Sequence, residues 1–163
     1  MIITDTTPLI HLGKVGKLSL LQSCFKKVFI PHQVYEEVLR LQTSPEALFL
    51  KKAVDEGWIS VEEIIVHKPL EEYAWLDQGE LQAISLALEK KKPLLIDDDV
   101  AKQVALLFGV EVHGTLYVLL EAYKKKLMEK KEIITAVNTM MMNGFYLSTT
   151  VYVLFLELLR KNE

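Results

Sequence analysis

Apolar and polar positions follow two rhythms along this chain. Short apolar runs with strand character are followed by stretches in which apolar residues recur every three or four positions. Residues 2–4 open with such a run. Thr7–Pro8 reads as a helix N-cap and first-turn proline, starting a helix to about Gly13. A second short helix, about 17–24, carries Leu18, Leu20, Leu21 and Phe25. "KVFI" is a strand stopped by Pro31, and Val34, Val38 and Leu41 then keep helical spacing from His32 to about Leu41. "PEALFLKKAVDEG" is a helix with Pro45 in its first turn and Gly57 just past its end. "WISVEEIIV" is strand-like, and a polar link at about 67–76 leads to a helix over about 78–91. "KPLLID" is a strand, "DVAKQVALLFG" a helix closed by Gly109, and "VEVH" a strand. Residues 115–126, 130–142 and about 148–161 read as helices. Strands alternating with helices predict an α/β domain with a parallel sheet covered on both faces.

The length of 163 residues suits one domain over 1–163, long enough to bury a core without staples. The net charge of -3 carries no global nucleic-acid signal, though a local basic patch stays open. The lysine runs 90–92 and 124–126 sit at helix ends, where they favour the helix dipole; contact with a phosphate backbone is the alternative. The single Cys24 excludes an intrachain disulfide and a cysteine zinc cluster, and is expected to be buried in a reducing cytoplasm. No basic-then-apolar leader is visible and no run of about 18 apolar residues occurs, so neither export nor a membrane span is expected.

The candidate chemistry lies in acids placed where strands end. In open α/β sheets, ligands bind outside the carboxyl ends of the strands. Asp5 and the run Asp97–Asp98–Asp99 both fall there. With Thr7 as the helix cap, Asp5 is free of that job; in the triple run one aspartate can cap, leaving Asp97 or Asp98 for function. Asp99 reads as a first-turn residue. In "VYEEVL", Glu37 lies at the edge of the apolar stripe, while Glu36 falls nearly opposite with Arg40 at ion-pair spacing. Asp77 and Glu80 match a capping box, yet Glu80 also borders the Leu81, Ile84 and Leu88 face and can point to the same sheet edge.

Bare carboxylates brought together repel, and a hard divalent cation with oxygen ligands relieves the repulsion, so magnesium or manganese fits this set. One or two such ions can activate water and stabilise charge on a phosphodiester. Phosphate-loop, dinucleotide-binding and nucleophile-elbow motifs are absent from the sequence. The four histidines, 11, 32, 67 and 113, lack metal-type spacing and read as structural or solvated. Met140–Met142 read as late-helix packing, and Tyr146 and Tyr152 are expected to pack within the chain rather than on a partner subunit.

These residues resemble the PIN-domain family of metal-dependent nucleases. "IITDTTPLIHL" looks like its opening strand and first aspartate. "VFIPHQVYEEVL" resembles its second motif with Glu37, and "LDQGELQAISLALEK" its third with Glu80. "PLLIDDDVAKQVALLFGVEVHGTLYVLL" resembles its fourth acidic strand end with the following Gly-Thr turn, and the closing segment from Asn143 is similar to the tail of a prokaryotic subfamily. The chain departs from the commonest pattern at Gln82, where an Asp is frequent, so Glu80 must substitute. The resemblance implies an α/β/α sandwich with a central parallel sheet of about five strands. It also implies an acidic pocket for magnesium or manganese, and cleavage of single-stranded or structured RNA. Many relatives are toxins neutralised by a small antitoxin, and many dimerise.

The expected function is therefore a cytoplasmic metal-dependent ribonuclease, possible toxin of a toxin–antitoxin pair and homodimer. Asp5, Glu37, Glu80 and Asp98 are its expected catalytic acids, and Asp5, Asp97, Asp98 and Glu80 its expected metal ligands. Thr6 and Thr7 either orient Asp5 or a bound water or cap the helix, and Thr115 is a comparable residue near the same edge. The rival expectation is a non-catalytic module that binds RNA or protein with the same fold. A phosphoryl-accepting receiver needs paired acids after the first strand, where this chain has Thr6–Thr7.

Overall fold

The structure, a computed structural model, describes residues 1–161; the last two residues of the expected 1–163 domain lie outside the described residues. Five strands form one all-parallel sheet in the order β3-β2-β1-β4-β5. They are β1 (Ile2–Thr4), β2 (Val28–Pro31), β3 (Ile59–Glu62), β4 (Leu94–Leu95) and β5 (Val112–His113). The helices among the described residues are α1 (Thr6–Lys14), α2 (Ser19–Phe25), α3 (His32–Leu39), α4 (Pro45–Asp55), α5 (Gln78–Lys90), α6 (Asp99–Leu107), α7 (Thr115–Lys124), α8 (Lys130–Met142) and α9 (Thr149–Lys161). A 3-10 turn, Lys68–Glu72, lies in the polar link before α5.

Strand side chains point alternately to opposite faces, and this divides the core in two. Ile2, Val28, Ile30 and Leu95 face the layer containing α1, α2, α7, α8 and α9. Ile3, Leu94 and Ile96 face the layer containing α5 and α6. The result is the α/β/α sandwich that the alternating pattern predicts. Gly57 and Gly109, both at φ +78°, close α4 and α6 where the sequence places their ends.

The strand order puts β1 at the centre, with Ile3 paired to Leu94 and Thr4 to Leu95. The chain runs outward to β2 and β3 on one side and to β4 and β5 on the other. The crevice beyond the ends of β1 and β4 is therefore the topological switch point, where such sheets bind ligands.

Four expectations are corrected here. The helix after β1 starts at Thr6, with Asp5 and not Thr7 at the N-cap position. Pro8 still fits, because first-turn N–H groups have no helical acceptor to lose. Helix α3 ends at Leu39, so Leu41 is exposed, while Val34 and Val38 are buried as expected. Glu36 approaches His32 at 3.8 Å, one turn back, instead of Arg40 one turn ahead. Tyr146 is 88% exposed and does not pack within the chain, although Tyr152 donates to Asn138 at 3.1 Å. Of the methionine run, Met140 is buried and Met142 exposed. Cys24 is buried, and that burial raises its thiol pKa. None of the described helices is long and apolar enough to cross a membrane.

Candidate active site

Asp5 ends β1 and begins α1. Its N–H donates to the Leu95 carbonyl at 2.9 Å, which fixes the residue against β4. Its carboxylate makes no capping bond to α1 and is 4% exposed. Burial raises its pKa from 3.8 to about 7; Asp77, Glu80 and Glu37 push the same way, and the Thr6 backbone opposes. The charged side chains that act on Asp5 are all acids.

Glu37 comes from α3, half-buried beside the exposed Glu36, as helical geometry predicts. The Thr6 hydroxyl donates to Glu37 Oε2 at 2.5 Å, and Gln33 donates to Oε1 at 3.1 Å. The same carboxylate rests on Gly79, where an added Cβ would lie 2.9 Å from Oε1. Gly79 thus permits the first turn of α5 to approach Glu37. Thr6 serves Glu37 in this structure, while Thr7 is half-buried on the same turn.

Both readings of Glu80 hold at once. Its N–H donates to Asp77 Oδ1 at 2.8 Å and its Oε2 accepts from the Asp77 N–H at 3.0 Å, a complete capping box for α5. Its carboxyl pKa is nevertheless raised, first by burial and then by Asp77, Asp98 and Glu37. Glu80 therefore belongs to the acidic group as well as to the cap.

The aspartate run divides its labour. Asp98 caps α6, accepting from Ala101 N–H at 2.8 Å, with its side chain open to the edge. Asp97 points across to α7. Its Oδ1 accepts from Thr115 N–H at 2.8 Å and its Oδ2 from the Thr115 hydroxyl at 2.6 Å. Gly114 makes room, since a Cβ there would stand 2.9 Å from Asp97 Oδ1. Asp99 is exposed in the first turn, 3.2 Å from Lys102.

Helices α1, α5, α6 and α7 all begin at this edge, so their positive dipole ends face the acids. That favours the ionised carboxylates without removing the strain on Asp5. The donors are hard oxygens, which suit magnesium or manganese. Among the described residues, no three histidine, cysteine or acidic side chains form a ready metal cage. Glu37 and Asp97 spend both carboxylate oxygens on bonds within the chain, and Glu80 and Asp98 spend one each.

Several site residues escaped the sequence pattern. Gln33 carries a usable signal, its spacing of four from Glu37 on one helix. Asp77 and Lys102 carry local signals, the capping box with Glu80 and the i,i+3 spacing from Asp99, but their nearness to the other acids comes from the tertiary fold. Two of the histidines pack on rings: His113 stacks on Tyr117 at 3.8 Å, and His11 lies 4.8 Å from the Phe145 ring with its Nδ1 buried and unbonded.

The family model of the PIN domain matches residues 1–161. No curated protein and no solved structure matches the chain.

Proposed function

The chain belongs to the PIN-domain family, and on that premise we propose that it is a metal-dependent endoribonuclease. The observation that carries this reading is a buried Asp5 at the switch point whose charged neighbours are Asp77, Glu80 and Glu37, with no cation among them. Such a group is a deficit of positive charge that a divalent ion corrects.

Asp5 and Asp98 would hold magnesium or manganese, with Glu37, Glu80 and Asp97 completing the acidic wall. When bound, one or two such ions supply an activated water and neutralise charge on the phosphodiester. Thr6 and Gln33 hold Glu37 in place. Burial raises the pKa of Glu80, which makes its carboxylate a stronger base than an exposed one. The finer reading is a toxin held in check by a small antitoxin and acting as a homodimer. The exposed Val151, Leu154 and Leu158 on α9 support an apolar partner surface. The capping bonds on Glu80 and Asp98 favour a second reading, a non-catalytic module that keeps the fold for binding.

A labelled RNA pool incubated with magnesium, manganese or chelator separates the two. Cleavage is expected with metal and not with chelator. Asp98→Asn should lower it at least about tenfold, close to 1.4 kcal/mol of barrier, with the fold intact because Asn also caps helices well. Equal background in every lane, with no heat of manganese binding, would establish the binding module. Glu36→Gln should leave cleavage near wild type, since Glu36 is exposed and faces His32; a collapse in rate would show that the wrong glutamate of the pair has been assigned.

A further inference from the structure

Helix α1 begins beside the acids and ends at Lys14, roughly 13 Å further along its axis. There the end of α1 and the turn after it face α8 across a groove of about 540 Å³. This size lies within the range of small-ligand sites. Three lysines line it, Lys14 and Lys17 on one side and Lys131 on the other. Among the described residues, no ion pair holds any of the three. Lys14 Nζ reaches the Asn143 carbonyl at a long 3.5 Å. Glu132 is the acid in the lining, and its Oε2 already accepts from the Glu129 N–H at 2.7 Å in a capping box.

The placement of Lys131 is informative. It lies in the first turn of α8, where the positive end of the helix dipole disfavours a cation. Lys90 and Lys124 close α5 and α7 at the end where the dipole favours them. Helix stability therefore accounts for those lysines and not for Lys131.

The rest of the lining narrows the ligand. Val15 packs on the core and Ala136 is buried, so the floor is apolar. The Thr135 hydroxyl donates to the Lys131 carbonyl at 2.9 Å and the Thr139 hydroxyl to the Thr135 carbonyl at 2.8 Å. Each hydroxyl has spent its hydrogen and keeps lone pairs to accept with. The groove thus offers ammonium groups, an apolar floor and two acceptors. A bare inorganic anion uses the first alone. A ligand that uses all three has clustered negative oxygens, an apolar body and N–H or O–H donors of its own.

We propose that this groove binds a nucleoside di- or triphosphate, with the polyphosphate on Lys14, Lys17 and Lys131 and the nucleoside over Val15 and Ala136. Its base and sugar donors face Thr135 and Thr139. None of the acids at the switch point lines the groove, so the ligand is an effector and not a substrate, and the site stands apart from the nuclease reading.

The test is titration calorimetry at low salt in chelator, so that no metal-nucleotide complex forms at the acids. The probes are ATP, GTP and inorganic triphosphate. At least one nucleotide should bind more tightly than inorganic triphosphate. Lys17→Met and Lys131→Met should each weaken it about tenfold, while Lys51→Met on α4 should not. Thr139→Val should weaken the nucleotide and leave inorganic triphosphate unchanged. Melting curves matching wild type should show each variant folded. No binding of either nucleotide, binding indifferent to Lys17→Met and Lys131→Met, or equal affinity for inorganic triphosphate would each overturn the site. A labelled RNA strand that binds through Lys17 and Lys131 where the nucleotides do not would overturn it in favour of a phosphate-backbone contact.

Discussion

Asp5→Asn should make the metal-free protein more stable at pH 8 by about 3 kcal/mol, a rise in Tm of roughly 5–10 °C for a chain of this size. Folding moves the Asp5 carboxyl from 3.8 to about 7. Between those values the folded protein holds a proton that the unfolded chain has released. Stability linked to this group is therefore full below pH 3.8, declines through the window and is lost above about pH 7. The span corresponds to about 4 kcal/mol, less the cost of burying an amide. Burial raises Glu80 in the same direction. Denaturant titrations at pH 5 and pH 8 in chelator should show wild type losing stability with pH and Asp5→Asn losing much less. Manganese should then stabilise wild type at pH 8 and leave the variant unmoved. A variant less stable than wild type at pH 8 would make Asp5 a structural residue.

Asp97→Ala should do the opposite, destabilising the protein by about 4 kcal/mol. Thr115 is fully buried, and both its N–H and its hydroxyl end on Asp97. Removing the carboxylate strands two buried donors at about 1–3 kcal/mol each. Asp97→Asn should cost less, because an amide oxygen still accepts. Thr115→Val tests the hydroxyl bond, and a double-mutant cycle should give a coupling of about 1–2 kcal/mol. If Asp97→Ala were neutral or stabilising, its carboxylate would belong with Asp5 among the repelling acids. Two acids at one sheet edge are thus expected to move stability in opposite directions.

That contrast marks the boundary of what the chain discloses in one dimension. The alternation of short apolar runs with helical spacing is a local signal, and it yields the strands and helices to within a few residues. The edge position of Glu37 follows from its angle to Val34 and Val38, even though Leu41 proved exposed. Glu80 reads two ways; the structure contains the capping box and also sets its carboxyl near other acids. The division between Asp97 and Asp98 is different, because the partner of Asp97, Thr115, lies on another strand-helix junction. The local Thr-Pro signal points to Thr7 as the cap, whereas the structure has Asp5 there, beside a β4 that is remote in sequence. Lys102 lies one turn after Asp99 on α6, whereas the cleft it lines with Tyr146 exists only where α6 and the segment after α8 meet.

The pairing of Ile3 with Leu94 also bears on when the protein becomes competent during its own synthesis. Chains emerge from the ribosome amino end first. Asp5 emerges before the rest of the sheet, but β1 lacks one of its two neighbours until β4 follows. The wall made by Asp98 comes with it, and the Thr115 tie later still. A nascent chain halted after β3 carries the first acid without its opposing side. The acidic edge is therefore assembled only after the far side of the sheet has been made.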